Sequence, residues 1–442
     1  MNNLFREYGM IVVLIGLCIF FSLITLKRSP SEGAGAADAV VDQISRSVDP
    51  TALVLVVSSH EPSPKATAEL IAPKLEDASY LNVLEVSGTP QEVRGVLDEL
   101  QIEERVPAAI TVTGKDENWR LWEILPDTFP EFSSTMIVSP PRSLRSTFLK
   151  PSNLLAIVDR IVVIAIIAIG MTLVIITAGI DLSVGSLIAL SAVIGTLVMK
   201  NLGGLEAHPW TVAAGFLAGI FACGLSGCVA GVVVAWFRVA PFIATLALMM
   251  VVRGSAFQIT GGFSIYQVPA TLPWLGQGVS FGVPNTVILL VVLYTGAHLF
   301  MAHTQMGRHI YAVGGNEEAA RLSGVPVRRV IIFVYAISGL AAGIGGCIQA
   351  SQLNTGTPNS GLMYELYVIA AVVVGGTSLS GGSGRILGTL IGAFIISVIQ
   401  NGMNLMGLES YTQQVVLGLV ILSGVLLDKL RGRSLFGSTA SQ

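Results

Sequence analysis

The feature that most constrains this chain is repetition: apolar stretches close to 20 residues long recur along most of its 442 residues. A helix rising about 1.5 Å per residue needs roughly 20 apolar residues to cross a hydrocarbon layer about 30 Å thick. The stretches lie near 9–26, 154–178, 182–200, 211–236, 240–258, 285–303, 329–350, 362–377, 386–402 and 412–428. The expected fold is therefore an α-helical polytopic membrane protein with about ten transmembrane helices and a small inserted α/β domain. The stretches after Asp181 and near 362–377 are short, and broken or partial helices are expected there. Composition agrees: 12% of residues are charged, against about 25% in soluble domains.

The charges are unevenly shared. Residues 30–150 hold 19 of the 28 acidic residues and 10 of the 25 basic ones. The chain thus reads as a soluble acidic insert within an apolar body: a first span (1–29), an α/β insert (30–146), a membrane domain (147–430) and a short tail (431–442). In the insert, apolar runs at 53–57, 81–86, 108–113 and 135–138 look like strands, and helical patterns at 65–77 and 90–101 separate the first three. Such alternation predicts βαβ units and a parallel sheet. The Gly/Ala/Ser-rich stretch 29–37 reads as a linker. His60 lies in a loop, where a lone histidine is usually solvated.

Residues 10–26 could pass for a signal core, but Lys27 and Arg28 stand where a cleavage site needs small residues, so an uncleaved first span is expected. The cysteines at 18, 223, 228 and 347 lie in apolar segments and form no metal or disulfide pattern. No metal, cofactor or nucleic-acid partner is expected.

Loop charge sets orientation. With a cytoplasmic N-terminus, the inner connections carry Arg238, Arg308, Arg321, Arg328, Arg329 and Arg385, and the tail carries Lys429, Arg431 and Arg433. The short outer connections carry only Lys200. Both termini are then cytoplasmic, and the insert is extracytoplasmic. Lys27, Arg28, Arg142, Arg145 and Lys150 flank the insert and argue the other way, but long domains translocate largely regardless of charge.

Three segments carry the functional signals. In the first, 177–186 (TAGIDLSVGS), Asp181 interrupts an apolar run. A charge at membrane depth costs on the order of 2.5–3.5 kcal/mol on insertion scales. Gly179, Asp181, Ser183, Gly185 and Ser186 suggest a helix break. Asp181 would either cap the next helix or help line a solute path; the two roles are compatible. The second is the basic loop 307–325. Asn316 is a plausible N-cap for a helix through about Leu322, with Gly324 as its stop. This helix could lie on the membrane surface or fit a groove on a cytoplasmic partner. The third, 375–385, is dense in glycine (Gly375, Gly376, Gly381, Gly382, Gly384, with Ser378 and Arg385), yet no GKS or GKT follows, so a tight inter-helix turn or hinge is expected rather than a phosphate loop. Elsewhere, Arg253 and Glu365 sit in apolar stretches and could pair or snorkel. Aromatic residues at Phe263, Tyr266, Trp274 and Phe281 could anchor the interface or meet a docking partner.

The segment GRHIYAVGGNEEAARLSGV resembles the coupling loop of ribose-type ABC-transporter permeases, of the branched-chain amino acid/sugar permease superfamily. The stretches 177–186, 369–393 and 401–428 resemble the same family in the same order. The resemblance implies a permease subunit that makes and breaks no covalent bond. It implies alternating access driven by a separate ABC ATPase docked on Gly307, Arg308, Gly315, Asn316, Glu317, Glu318, Ala319, Ala320, Arg321 and Gly324. Further implied partners are a second permease chain, identical or not, and an extracytoplasmic solute-binding protein. The insert departs from the family pattern. Alternatives are an ABC permease for another small solute, an ion-coupled secondary transporter, for which Asp181 is the one good midplane carboxylate, and a membrane sensor.

Overall fold

The computed structural model describes residues 2–436, with side chains except at 2–8, 62, 115 and 427–436. The last six residues of the tail lie outside the described residues. The chain forms two compact units, residues 23–147 and the remainder.

Helix α1 (Asn2–Ile24) opens the chain. The 23–147 unit then runs β1 (Leu26–Pro30), α2 (Ala34–Ser47), β2 (Leu53–Ser58), α3 (Pro62–Asp77), β3 (Val83–Ser87), α4 (Pro90–Ile102), β4 (Pro107–Val112), α5 (Arg120–Thr128), β5 (Met136–Val138) and β6 (Arg142–Ser146). Four strands form a parallel sheet in the order β3-β2-β4-β5. Alternation along β2 feeds two cores, because successive side chains point to opposite faces. Leu53, Leu55 and Val57 pack with Val93 and Leu97 of α4 and Leu121 and Leu125 of α5. Val54 and Val56 pack with Val40 and Ile44 of α2 and Ile71 and Leu75 of α3. The result is a three-layer α/β/α sandwich.

Two features of this unit differ from the sequence reading. Residues 29–37 are not a linker: the chain ends β1 and starts α2, whose Ala36, Ala37, Val40 and Ile44 are buried at helical spacing. Small residues there serve packing rather than flexibility. Four of the flanking basic residues that argued against the assigned orientation, Lys27, Arg28, Arg142 and Arg145, sit on an antiparallel ribbon of β1 and β6 that joins the unit's two ends. Lys27 lies opposite Arg145, Arg142 donates to Glu117 at 2.9 Å, and Arg145 approaches Glu32 at 4.0 Å. His60 stands 3.6 Å from Glu92 and is largely exposed.

The second unit continues from α1 through α6 (Pro151–Ile176), α7 (Val184–Asn201), α8 (Trp210–Phe237), α9 (Pro241–Thr260), α10 (Pro273–Gln277), α11 (Asn285–His303), α12 (Gln305–Gly315), α13 (Glu317–Leu322), α14 (Val327–Leu353), α15 (Tyr364–Val374), α16 (Ile386–Leu405) and α17 (Ser410–Phe436). Among the described residues seven helices are long and apolar enough to cross a membrane: α6, α7, α8, α9, α11, α14 and α16. Shorter apolar helical stretches are Gly9–Ile24, Tyr364–Val374 and Ser410–Leu426. Helix α15, with 11 residues, rises only about 16 Å and reaches about halfway across the layer.

Close packing centres on α14, which runs against α6, α7 and α8. A Cβ added at Gly339 would lie 2.3 Å from the Cys223 carbonyl oxygen of α8, so only glycine lets these backbones meet. Several buried hydroxyls bridge helices. Ser191 donates to Gly343 O at 2.7 Å, Tyr294 donates to Ala165 O at 2.9 Å, and the Thr172 and Thr389 hydroxyls lie 2.8 Å apart. Arg253 does not ion-pair with Glu365 among the described residues. Its guanidinium instead donates to the Pro358 and Ser360 carbonyls at 2.9 and 2.7 Å, holding the irregular segment 354–363 that leads into α15. Backbone carbonyls of an unwound segment need donors at this depth, and the arginine supplies two.

Candidate functional site

The three segments singled out in the sequence meet in space. The first is the break between α6 and α7. After Ile176 the chain turns through Ala178, which has φ of 60°, and Gly179 N donates to Val174 O at 3.0 Å. A Cβ at Gly179 would lie 2.6 Å from the Tyr335 hydroxyl. Asp181 is fully buried. Its Oδ1 accepts the Ser183 N–H at 3.0 Å and the Ser183 hydroxyl at 2.6 Å; its Oδ2 accepts the Ser338 hydroxyl at 2.7 Å. Three donors on one buried carboxylate offset part of its desolvation. Leu182 N donates to the Thr245 hydroxyl, Tyr335 donates to Ile180 O, and Ser186 donates to Ser183 O. Gly185 leaves room for Glu365: a Cβ there would lie 2.1 Å from a Glu365 carboxylate oxygen.

The second segment is the helix pair α12–α13. Thr304 caps α12 by accepting Gly307 N at 3.1 Å, and Asn316 caps α13 by accepting Ala319 N at 2.9 Å. Gly324, with φ of +84°, ends the motif in a conformation that favours glycine. Gly315, Glu317, Glu318, Ala319, Arg321 and Leu322 are exposed, whereas Gly307 and Ala320 are buried. Arg308 is exposed, and Glu318 pairs with Arg321.

The third segment is the turn from α15 to α16. Gly376, Gly381 and Gly382 all have positive φ. Ser383 O accepts Ser378 N, and Ser378 O accepts Gly381 N, both at 3.1 Å, so the glycines close a compact turn rather than open a phosphate cradle. A Cβ at Gly375 would lie 2.6 Å from Gly388 O, and one at Gly384 would lie 2.7 Å from Thr377. Arg385 is exposed at the start of α16.

These pieces form one junction. Gly382 N donates to Ile176 O, the last residue of α6, at 2.9 Å. A Cβ at Gly314 of α12 would lie 1.7 Å from the same Ile176 oxygen and 2.6 Å from Gly382 N. A Cβ at Gly381 would lie 2.8 Å from Gly314 O. Tyr311 of α12 donates to Gly384 O at 2.8 Å, and burial pushes its phenol above the ordinary value, so it stays a donor. The exposed helix α13 therefore begins close to a backbone-to-backbone contact with the end of α6 and the glycine turn. Sequence reasoning held Tyr311 and Gly314 within the 307–325 segment without giving either a role of its own, and it missed Tyr335 and Ser338 as participants. Tyr335 and Ser338, three apart on apolar α14, were the available signal.

The seven long apolar helices among the described residues define a polytopic membrane protein. Residues 153–424 match the family model described as branched-chain amino acid transport system / permease component, and the chain belongs to that family. It is 42% identical over 323 residues to the ribose import permease protein RbsC of Escherichia coli K12, covering 72% of this chain and 98% of that one. It is 41% identical over 289 residues to the ribose import permease protein RbsC of Bacillus subtilis, covering 65% and 87%. It is 38% identical over 268 residues to the L-arabinose transport system permease protein AraH of E. coli K12, covering 61% and 80%. No solved structure matches.

Proposed function

We propose that this chain is the membrane-spanning permease subunit of an ATP-driven importer for a simple sugar such as ribose. The observation that carries the reading is likeness to a ribose import permease along 98% of that protein's length. The chain itself is no enzyme; ATP is hydrolysed by a separate ABC ATPase subunit. In the reading proposed here, about ten helices cross the inner membrane, both ends lie in the cytoplasm, and the α/β sandwich lies outside. A second permease chain and an extracytoplasmic solute-binding protein complete the importer.

Coupling runs through the junction. The exposed Glu317, Glu318, Arg321 and Leu322 of α13 dock on the ATPase. ATP binding moves α12–α13, and the Gly314–Ile176–Gly382 contact passes that motion to α6, the Asp181 break and α15–α16, rocking the helices between outward and inward states. The engagement of Asp181 favours this reading over an ion-coupled transporter. Asp181 does not cap α7, whose N-cap is Ser183 without a side-chain cap bond; its two oxygens accept three hydrogen bonds from serines, which suits a fixed turn better than a site that binds and releases an ion. The test is Glu318→Arg. Loss of both ATPase co-purification and sugar uptake is expected; survival of both would refute the coupling role.

A further inference from the structure

Helices α6, α15 and α16, with the start of α17, line an open cleft of about 320 Å³ that the junction does not use. Its lining is Arg160, Tyr364, Tyr367, Gln400, Asn404 and Gln413, with Ile164 as the one aliphatic member. Two of the helices present their polar residues at helical spacing: Tyr364 and Tyr367 three apart, Gln400 and Asn404 four apart. The cleft opens to solvent at Arg160 and Asn404, both exposed, and reaches inward to buried Gln400, so its polar side chains face a water-filled space that a solute can enter.

Several observations point to an occupant. Arg160 is exposed and makes no hydrogen bond or ion pair among the described residues, so its guanidinium is available to a solute. Gln400 is 8% exposed and likewise makes no side-chain hydrogen bond among the described residues. Gln349 Nε2 donates to the Tyr364 hydroxyl at 3.3 Å, so that hydroxyl's own hydrogen is free for another acceptor. Gln413 donates to Asn404 Oδ1 at 2.8 Å, leaving the Asn404 amide hydrogens available. Tyr364 is the first residue of the half-length helix α15, and broken helices with unwound approaches mark solute sites in transporters. The volume falls at the low end of the roughly 300–1,000 Å³ of small-molecule pockets.

We propose that this cleft is a polyol-binding subsite of the translocation path, taking one monosaccharide. The inference rests on the importer reading and adds where the sugar is held. Arg160 and the Asn404 amide donate to sugar hydroxyl oxygens, Gln400 can both donate and accept, and the rings of Tyr364 and Tyr367 cover the sugar's C–H faces. No carboxylate lines the cleft, so an amine-bearing solute has no counter-charge there, whereas a neutral polyol needs none.

The test uses the full transporter, with its ATPase and binding protein, in proteoliposomes. Wild-type protein establishes ribose uptake; absence of any sugar uptake would refute the importer reading and the subsite with it. Gln400→Leu should lower ribose uptake at least tenfold while ATPase co-purification stays unchanged. Independently of folding in that variant, Asn404→Cys should react with a maleimide, and millimolar ribose should slow the reaction at least threefold, whereas leucine should not. Leu419→Cys, exposed on α17, should show no ribose effect. Three results together would overturn the subsite alone: ribose uptake by the wild type, undiminished uptake by Gln400→Leu, and maleimide labelling of Asn404→Cys that ribose does not slow. Protection by leucine instead of ribose would overturn the polyol assignment.

Discussion

Replacing Gly314 with alanine tests the junction most sharply, because its neighbour provides the control. A Cβ at Gly314 would lie 1.7 Å from Ile176 O and 2.6 Å from Gly382 N. Both partners are backbone, so no side chain can swing away. Reaching van der Waals contact near 3.5 Å requires the segments of the junction to part by roughly 1.8 Å. That separation breaks the Gly382 N–Ile176 O hydrogen bond of 2.9 Å. Overpacking costs about 1–3 kcal/mol, and orphaning a buried N–H about 1–3 kcal/mol more. Even the lower total, about 2 kcal/mol, shifts a two-state contact about 30-fold. ATP-driven uptake should then fall at least about tenfold. The Asn316 cap and the exposed face of α13 are untouched, so the ATPase should still co-purify. Gly315 has nothing within 4 Å of its Cβ position, and Gly315→Ala should import normally. Uptake by Gly314→Ala at the wild-type rate, or equal damage from Gly315→Ala, would refute the argument.

Further outcomes follow from the same contacts. Ser338→Ala removes one of three donors to buried Asp181 and should lower thermal stability of the detergent-solubilised protein by about 1–3 kcal/mol; Asp181→Ala, which also strips Ser183 of its acceptor, should lower it further. Leu322→Ala should leave the melting temperature unchanged, because the side chain is 79% exposed, yet reduce ATPase recovery. Residues 23–147, a compact unit with its own cores, should fold alone, with a cooperative melt by circular dichroism. In that fragment the Thr89 backbone N–H, then its hydroxyl, hold Glu92 below the usual carboxylate range. A depressed folded value gives stability that is present above the unfolded value near about 4.3 and lost as pH falls through the folded value. Glu92→Gln should therefore flatten the acid limb of the fragment's melting temperature; an unchanged limb would contradict the capping geometry.

Local signals were legible in the sequence because their causes are local. Asn316 accepts a hydrogen bond three residues ahead, and Gly324 turns where only short-range sterics matter. The unbroken apolar run at 53–57 marks a strand, and Leu53–Ser58 is buried on both faces. What failed to show depends on partners far along the chain. The ribbon of β1 and β6 pairs segments more than a hundred residues apart, and its arginines read as a topology signal until Glu117 and Glu32 appeared beside them. The 29–37 stretch looked like a linker because small residues serve flexible and tightly packed chains alike. A pairing of Arg253 with Glu365 was reasonable by charge, but an unwound segment's carbonyls claimed the guanidinium. The meeting of α6, α12 and the glycine turn is set by backbone approach, for which glycine content hints at closeness but does not name the partner.

Ribose transport into proteoliposomes that contain this chain, with its ATPase and binding protein added or withheld, bears most directly on the central claim. The account predicts accumulation against a gradient only when ATP, the ATPase and the binding protein are all present. Accumulation driven by a proton or sodium gradient without the ATPase would contradict it.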